Sequence, residues 1–210
     1  MTHRRSPSDY HLISEIETVD LDELVALHIR SFPEFFLSKL GPTVLRVFYS
    51  EFVHCTDTVA VKATRGRDIV GVAVGPLYPE AFFRDLIRRR WMALGLGAMT
   101  FVLTHPTQGL RVIRAVRYRG SAADVPGALL SAICVDPSDR CAGVGRRLLR
   151  AWEAAALQHG AKYAHLTTDE AENDETIGFY KSVGWSIHSR YTTPERRSML
   201  VLVRTLSGNA

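Results

Sequence analysis

Cysteine is scarce in this chain: Cys55, Cys134 and Cys141 are the only three in 210 residues. They are widely spaced, odd in number and outside any Cys-x-x-Cys pair or histidine cluster, which argues against a disulfide framework and against a zinc site. No metal is expected. Long apolar runs are missing as well. The longest, Trp91 to Leu103, has 13 residues. That is short of the roughly 20 that a membrane-spanning helix requires, so no membrane span is expected and the run reads as a buried helix. The N-terminus, Met1-Thr2-His3-Arg4-Arg5-Ser6-Pro7-Ser8-Asp9, is polar and lacks the apolar core of a signal peptide. Residues 1–9 therefore read as a flexible tail, and a reducing cytoplasm is the expected setting.

What is present is a globular composition with one uneven stretch. Apolar residues make up 46% of the chain, enough to bury one α/β domain and hardly enough for two. A single domain over 10–204 is expected, with a short C-terminal tail at 205–210. The formal net charge is +4, and residues 81–120 concentrate it: Arg84, Arg88, Arg89, Arg90, Arg111, Arg114, Arg117 and Arg119 stand against one acid, Asp85. The stretch either draws an anionic partner or is a solvated helical face. It lacks the aromatic interleaving of a nucleic-acid reader, so no nucleic-acid partner is expected.

The segment with most chemistry begins at Leu129-Leu130-Ser131-Ala132-Ile133-Cys134-Val135. It is apolar, rich in branched residues and closed by Asp136-Pro137, which marks a buried strand that must stop there. Arg140-Cys141-Ala142-Gly143-Val144-Gly145 follows, and then a helix. Val144, Leu148, Leu149, Trp152, Ala155 and Ala156 recur at helical spacing, with Arg146, Arg147, Arg150 and Glu153 on the other face. Glycine at 143 and 145 lets the backbone approach a ligand, and the first N–H groups of the helix have no internal partner, so the turn is a cradle for a phosphate-sized anion. It has neither the Lys-Ser/Thr of a nucleotide-hydrolase loop nor the third glycine of a dinucleotide-binding turn.

Downstream, Gly160 is a candidate helix stop and Lys162 to Thr168 reads as the next strand. Asn173-Asp174-Glu175-Thr176-Ile177-Gly178-Phe179-Tyr180 then precedes Gly184-Trp185. The two segments together, Arg-x-x-Gly-x-Gly and Asn-x-x-Thr-x-x-Phe-Tyr with its trailing Gly-Trp, resemble the two signatures of the GNAT superfamily of acetyl-CoA-dependent N-acetyltransferases. Thr176 stands where alanine is usual and Trp185 where phenylalanine is. The resemblance covers residues 125–204 well and the N-terminal half in outline.

It implies an α/β GNAT fold: a mixed central sheet of about six to seven strands, splayed at the cofactor site, flanked by helices and carrying a helical insertion at 79–124. The outline ahead of the turn fits. Tyr10 to Ile16 reads as a strand, a helix starts at an Asp20 N-cap with Glu23 at capping-box spacing, and that helix stops before Pro33. Val44 to Val53 reads as a further helix, and Thr58 to Ala63 with Asp68 to Gly75 as a hairpin.

The resemblance also implies roles. Acetyl-CoA is the co-substrate, bound by the backbone of Ile133, Cys134 and Val135, by the loop Arg140, Cys141, Ala142, Gly143, Val144 and Gly145, and by Arg146 and Asn173. Attack by the amine is direct, with no acyl-enzyme, and Tyr180 sits near the sulfur to protonate the leaving thiolate. Cys134 has no catalytic part. No carboxylate lies in Gly127 to Ala132 to serve as base, which leaves Glu34 in the aromatic turn, His165, Asp169, Glu170 or a water chain. Phe32, Phe35 and Phe36 either line an acceptor pocket or pack in the core. The expected acceptor is a primary amine of a small molecule, an amino sugar or related metabolite first, with a protein or peptide acceptor or a non-catalytic acyl-CoA sensor or scaffold as alternatives. The resemblance also admits a homodimer.

Overall fold

The computed structural model describes residues 12–104, 125–140, 143–194 and 196–207, apart from the side chains of 36, 93, 94 and 96–104. The expected tail at 1–9, loop residues Cys141 and Ala142, and the latter part of the 79–124 insertion lie outside the described residues.

Two four-stranded sheets lie side by side. The first has the order β1 (Leu12–Glu15), β2 (Thr58–Arg65), β3 (Asp68–Pro76) and β5 (Ala132–Val135), antiparallel throughout. The second has the order β4 (Ala128–Leu129), β6 (Tyr163–Asp169), β8 (Ser198–Thr205) and β7 (Ser186–Thr192). Its β4–β6 pair is parallel and the others antiparallel. The apolar run expected to form one strand is thus two short ones in different sheets. The break falls between adjacent residues: Leu130 N–H donates to the His165 carbonyl in the second sheet, and Ser131 N–H to the Val74 carbonyl in the first, each at 2.9 Å. The sheet forks there. This division gives eight described strands where six to seven were expected.

Gly75 makes the fork possible. A Cβ at that position would collide with the Leu129 carbonyl and lie 2.8 Å from the Trp152 ring, so β3 comes this close to β4 only because position 75 has no side chain.

Helices cover both faces of the first sheet. On one side α1 (Leu21–Ser31) and α3 (Pro42–His54), joined through the short α2 (Phe36–Lys39), bury Leu24, Leu27, Leu45, Phe48 and Phe52 against Ile69, Val72 and Val74. On the other, α5 (Val144–Gln158) buries Val144, Leu148, Leu149 and Trp152 against Val61 and Ala73, in a cluster that continues to Leu166 of the second sheet. Fully buried side chains such as Leu148 and Leu149 each contribute about 1.5–3 kcal/mol. The strand period of two and the helix period of 3.6 meet on these faces.

Several sequence expectations need correction. Asp20 precedes α1, but its carboxylate caps the preceding turn instead, accepting from Glu17 N–H at 2.7 Å and from Lys62 Nζ at 2.6 Å. Glu23 accepts from Ile69 N–H at 2.6 Å, tying α1 to β3 rather than closing a capping box. Glu153 was placed on the solvent face of α5 and is buried. Leu206, placed in the tail, is buried, and its N–H donates to the Lys162 carbonyl at 2.9 Å. The helix expected for the 79–124 insertion begins with α4 (Pro79–Thr104), which kinks at Arg90. Phe82 and Leu86 on it are buried, yet Trp91 and Met92, at the head of the run read as buried, are 65% and 61% exposed. Among the described residues no helix is long and apolar enough to cross a membrane.

Candidate active site

Because the first sheet ends at β5 and the second turns away with β6, β5 has an edge without a neighbouring strand among the described residues. Asp136 N–H bonds the Val70 carbonyl at 2.8 Å and Cys134 pairs with Val72. By antiparallel alternation, Ile133 and Val135 therefore direct their backbone groups toward the gap. The Val135 carbonyl receives the Ser31 hydroxyl at 3.2 Å. The N–H groups of Ile133 and Val135 line an opening where an extended, amide-bearing chain pairs as a further strand would.

The anion cradle closes one end of this opening. Asp136 stops the strand, its carboxylate accepting from Ser138 N–H at 3.0 Å and Ser138 Oγ at 2.8 Å. Those two bonds, together with Arg30 at 3.0 Å, hold its pKa below the usual carboxylate value. The chain turns through Arg140, whose side chain is exposed, to Gly143, the N-cap of α5 at φ 75° and ψ 7°. That left-handed conformation is why glycine is needed there. The N–H groups of Val144, Gly145 and Arg146 have no intrahelical partner and, with the helix dipole behind them, favour a phosphate. At Gly145 a Cβ would meet Val135 and Phe179 only at 3.7 Å, so the position opens on space between β5 and α6 (Asp174–Ser182). Arg146 reaches across to α6, Nη2 donating to Ser182 Oγ at 3.2 Å.

Asn173 sits at the N-cap of α6 without capping it. Its Nδ2 donates to Thr168 Oγ1 at 2.7 Å and to the Asp169 carbonyl at 2.8 Å, holding the end of β6 against α6. Tyr180, on the inner face of α6, is buried between Phe179 and Trp185 with ring centroids at 5.3 and 5.8 Å. Burial pushes its phenol pKa up, so it holds its proton at neutral pH. Trp185 in place of the usual phenylalanine has a counterpart that sequence reading missed. Its Nε1 donates to Glu153 Oε1 at 2.7 Å, and Arg204 Nε lies 3.1 Å from Glu153 Oε2. An indole N–H and a buried carboxylate thus occur together.

The base candidates separate clearly. Glu34 has a side chain 89% exposed and pairs with Lys39 at 2.9 Å. Asp169 is bound by the Arg197 guanidinium, and Glu170 accepts from Ser198 Oγ at 2.6 Å and Arg190 Nε at 2.7 Å, which lower its pKa. His165 is buried beside the fork with Nδ1 lacking a described partner, and burial holds its pKa down to about 4. Cys134 faces away from α5 into the α1–α3 core, where burial pushes its thiol up to about 12. Among the described residues no cluster of three or more histidine, cysteine or acidic side chains is suited to a metal ion.

A fork in the sheet, an open strand edge and a helix N-terminus at its end are an arrangement suited to an extended, amide-bearing ligand with an anionic end. The acetyltransferase (GNAT) family model matches residues 21–185, and the chain belongs to that family. It is an acetyl-CoA-dependent N-acetyltransferase. A comparison with curated protein sequences finds no match. Solved structures share the fold at low identity. The ribosomal-protein-S18-alanine N-acetyltransferase from Escherichia coli is 18% identical with a TM-score of 0.59, the match covering 95% of this chain and 96% of that one. Aminoglycoside 6'-acetyltransferase type Ii is 16% identical with a TM-score of 0.61, over 95% and 99%. An aminoglycoside 6'-N-acetyltransferase complexed with coenzyme A is 14% identical with a TM-score of 0.60, over 95% and 99%.

Proposed function

We propose that the chain transfers the acetyl group of acetyl-CoA to the primary amine of a small molecule, an amino sugar or related metabolite, by direct attack in the fork between β5 and β6. The observation that carries this reading is the open edge of β5 leading from the cradle at Gly143 to the fork at Leu130 and Ser131. The pyrophosphate rests on the N–H groups of Val144, Gly145 and Arg146 beside Arg140, with Arg146 and Asn173 bracing the α6 side. The pantetheine arm runs along Ile133, Cys134 and Val135, and its thioester reaches the fork. A backbone N–H of β5 polarises the acetyl carbonyl, a donor of the kind worth about 10²–10³ in rate when it faces the developing oxyanion.

As the tetrahedral adduct collapses, the C–S bond breaks and Tyr180 gives its proton to the thiolate. Burial raises the phenol's pKa, so Tyr180 keeps its proton until the thiolate forms. The incoming ammonium loses its proton to solvent water, since Glu34 is exposed and ion-paired and the other nearby carboxylates are bound to arginines.

Thiol release from acetyl-CoA against amino sugars, aminoglycosides, polyamines and peptides tests the reading. We expect turnover of a small amine. Tyr180→Phe lowers kcat by about 10²–10⁴ with little change in KM for acetyl-CoA. Turnover confined to a peptide N-terminus or lysine would replace the acceptor class. Tight acetyl-CoA binding without acetylation of any amine would favour a sensing or scaffolding role.

A further inference from the structure

The arginines of α4 stand beside exposed apolar side chains, and acetyl transfer uses neither. Phe82 and Leu86, four positions apart, turn inward and are buried. Arg84, Ile87 and Arg88, at helical spacing on the outward side, are exposed. Past the kink at Arg90 the helix continues with Trp91 and Met92, 65% and 61% exposed. A Cβ at Gly95 would meet no described atom outside its own helix within 4 Å. Large apolar side chains held out in water next to one another mark a contact surface.

The charge beside them has one sign. Between residues 86 and 120 the sequence has seven arginines and no acid. Arg90 is neutralised by the buried Glu51, to which its Nε donates at 2.6 Å. Arg84 and Arg89 share Asp85 at 4.0 and 3.7 Å, beyond hydrogen-bond length, and Arg88 has no ion pair among the described residues. Next to the kink lies a recess of about 310 Å³ lined by Glu51, His54, Cys55, Arg89 and Arg90. With Arg90 and Glu51 cancelling, Arg89 is the cation in excess there, and a phosphate headgroup fits the space.

These features favour a lipid surface over a nucleic acid. Trp91 heads the uncharged run of 13 residues that ends at Leu103, and a polyanion has nothing to pair with in such a run. At 1.5 Å per residue a helix of that length reaches about 20 Å, short of the roughly 30 Å hydrocarbon core, so it suits the interface and not a crossing. We propose that α4 docks the protein on an anionic lipid surface, with Arg88 and Arg89 on lipid phosphates and Trp91 and Met92 entering the boundary between headgroups and acyl chains. None of these residues belongs to the acetyl-transfer site, so docking holds whichever amine is acetylated.

Tryptophan fluorescence of the full chain tests this directly, because Trp152 and Trp185 are buried and Trp91 is the exposed one of three. We expect vesicles of phosphatidylcholine and phosphatidylglycerol in equal parts to shift the emission to the blue, brominated acyl chains to quench it, and phosphatidylcholine alone to do neither. In co-sedimentation, Arg88→Gln lowers partition to the mixed vesicles about fivefold and Arg88→Glu with Arg89→Glu by at least about twentyfold. Trp91→Ala also lowers it, and added salt weakens it. Thiol release in the absence of vesicles stays at the parental rate in all three variants, which shows that they fold. Equal partition to both vesicle types, partition that survives the double charge reversal, or unchanged emission in the mixed vesicles each overturns the proposal. Binding to duplex DNA with mixed vesicles left free assigns the arginines to a nucleic acid instead. A lipid-free dimer that Trp91→Ala dissociates, again with vesicles left free, assigns the face to a second copy of the chain.

Discussion

Trp185 and Glu153 show how a single departure from a family pattern has a structural partner elsewhere. A phenylalanine at 185 would fill much of the same space but would leave Glu153 buried beside Arg204 with one donor fewer. Burial already raises the Glu153 pKa, and the Trp185 bond is the largest influence pulling it back. Trp185→Phe is therefore expected to lower stability by about 1–3 kcal/mol, read as a shift in the urea midpoint, and Trp185→Phe with Glu153→Leu to recover much of it. Additive losses in the double variant would show that the two residues are not coupled. Gly143 makes a different demand, since its φ of 75° is costly for any residue with a Cβ. Gly143→Ala is expected to cost about 1–2 kcal/mol and to raise KM for acetyl-CoA while sparing kcat, which steady-state kinetics at saturating amine resolves. Gly143 and its helix were legible in sequence because local chemistry decides them. The Trp185–Glu153 bond was not, because its partners lie 32 positions apart on different elements.

At the level of elements, most helices, the β2–β3 hairpin and β6 were readable and the division of the sheet was not. Helical stripes in α1, α3 and α5 follow from spacing alone, and the hairpin of β2 and β3 turns tightly at Gly66, as its glycine suggested. The division of 128–135 into two strands left no trace in the pattern, because an apolar run buried in two sheets looks the same as one buried in a single sheet. β7 and β8 also carry no motif, and they are fixed by pairing, β8 with β6 and β7 with β8. What decides the fork is a contact across sequence, Gly75 against Leu129. Gly75→Ala sets a methyl against a backbone carbonyl that has nowhere to retreat, and we expect a loss of roughly 2–3 kcal/mol and a rise in KM for acetyl-CoA as β4 is displaced. Retention of parental stability and affinity would mean that the fork does not depend on this close approach.

Across the whole molecule, two buried histidines tie stability to pH. Burial holds the pKa of both His28 and His165 to about 4, against an ordinary value of 6.5. Between these values the unfolded chain binds protons that the folded one refuses, so stability rises with pH through this window and is lost as pH falls from about 6.5 toward 4. Each histidine accounts for about 3 kcal/mol of that change when it is complete, on the order of half the stability of a typical domain from the two together. Glu153, with its pKa raised, acts in the opposite sense, since the folded chain holds its proton more tightly; a single group of that kind reduces the slope without reversing it. Urea midpoints are therefore expected to be level above about pH 7 and to fall steadily below pH 6.5. In His165→Leu, where the buried Nδ1 no longer needs a partner, the fall should be close to half as steep. A midpoint that stays constant down to pH 5 would mean that both imidazoles accept protons in the folded chain. In that case His28 would be a cation with both ring nitrogens as donors, and the Tyr49 hydroxyl, 2.8 Å from Nδ1, would be the acceptor.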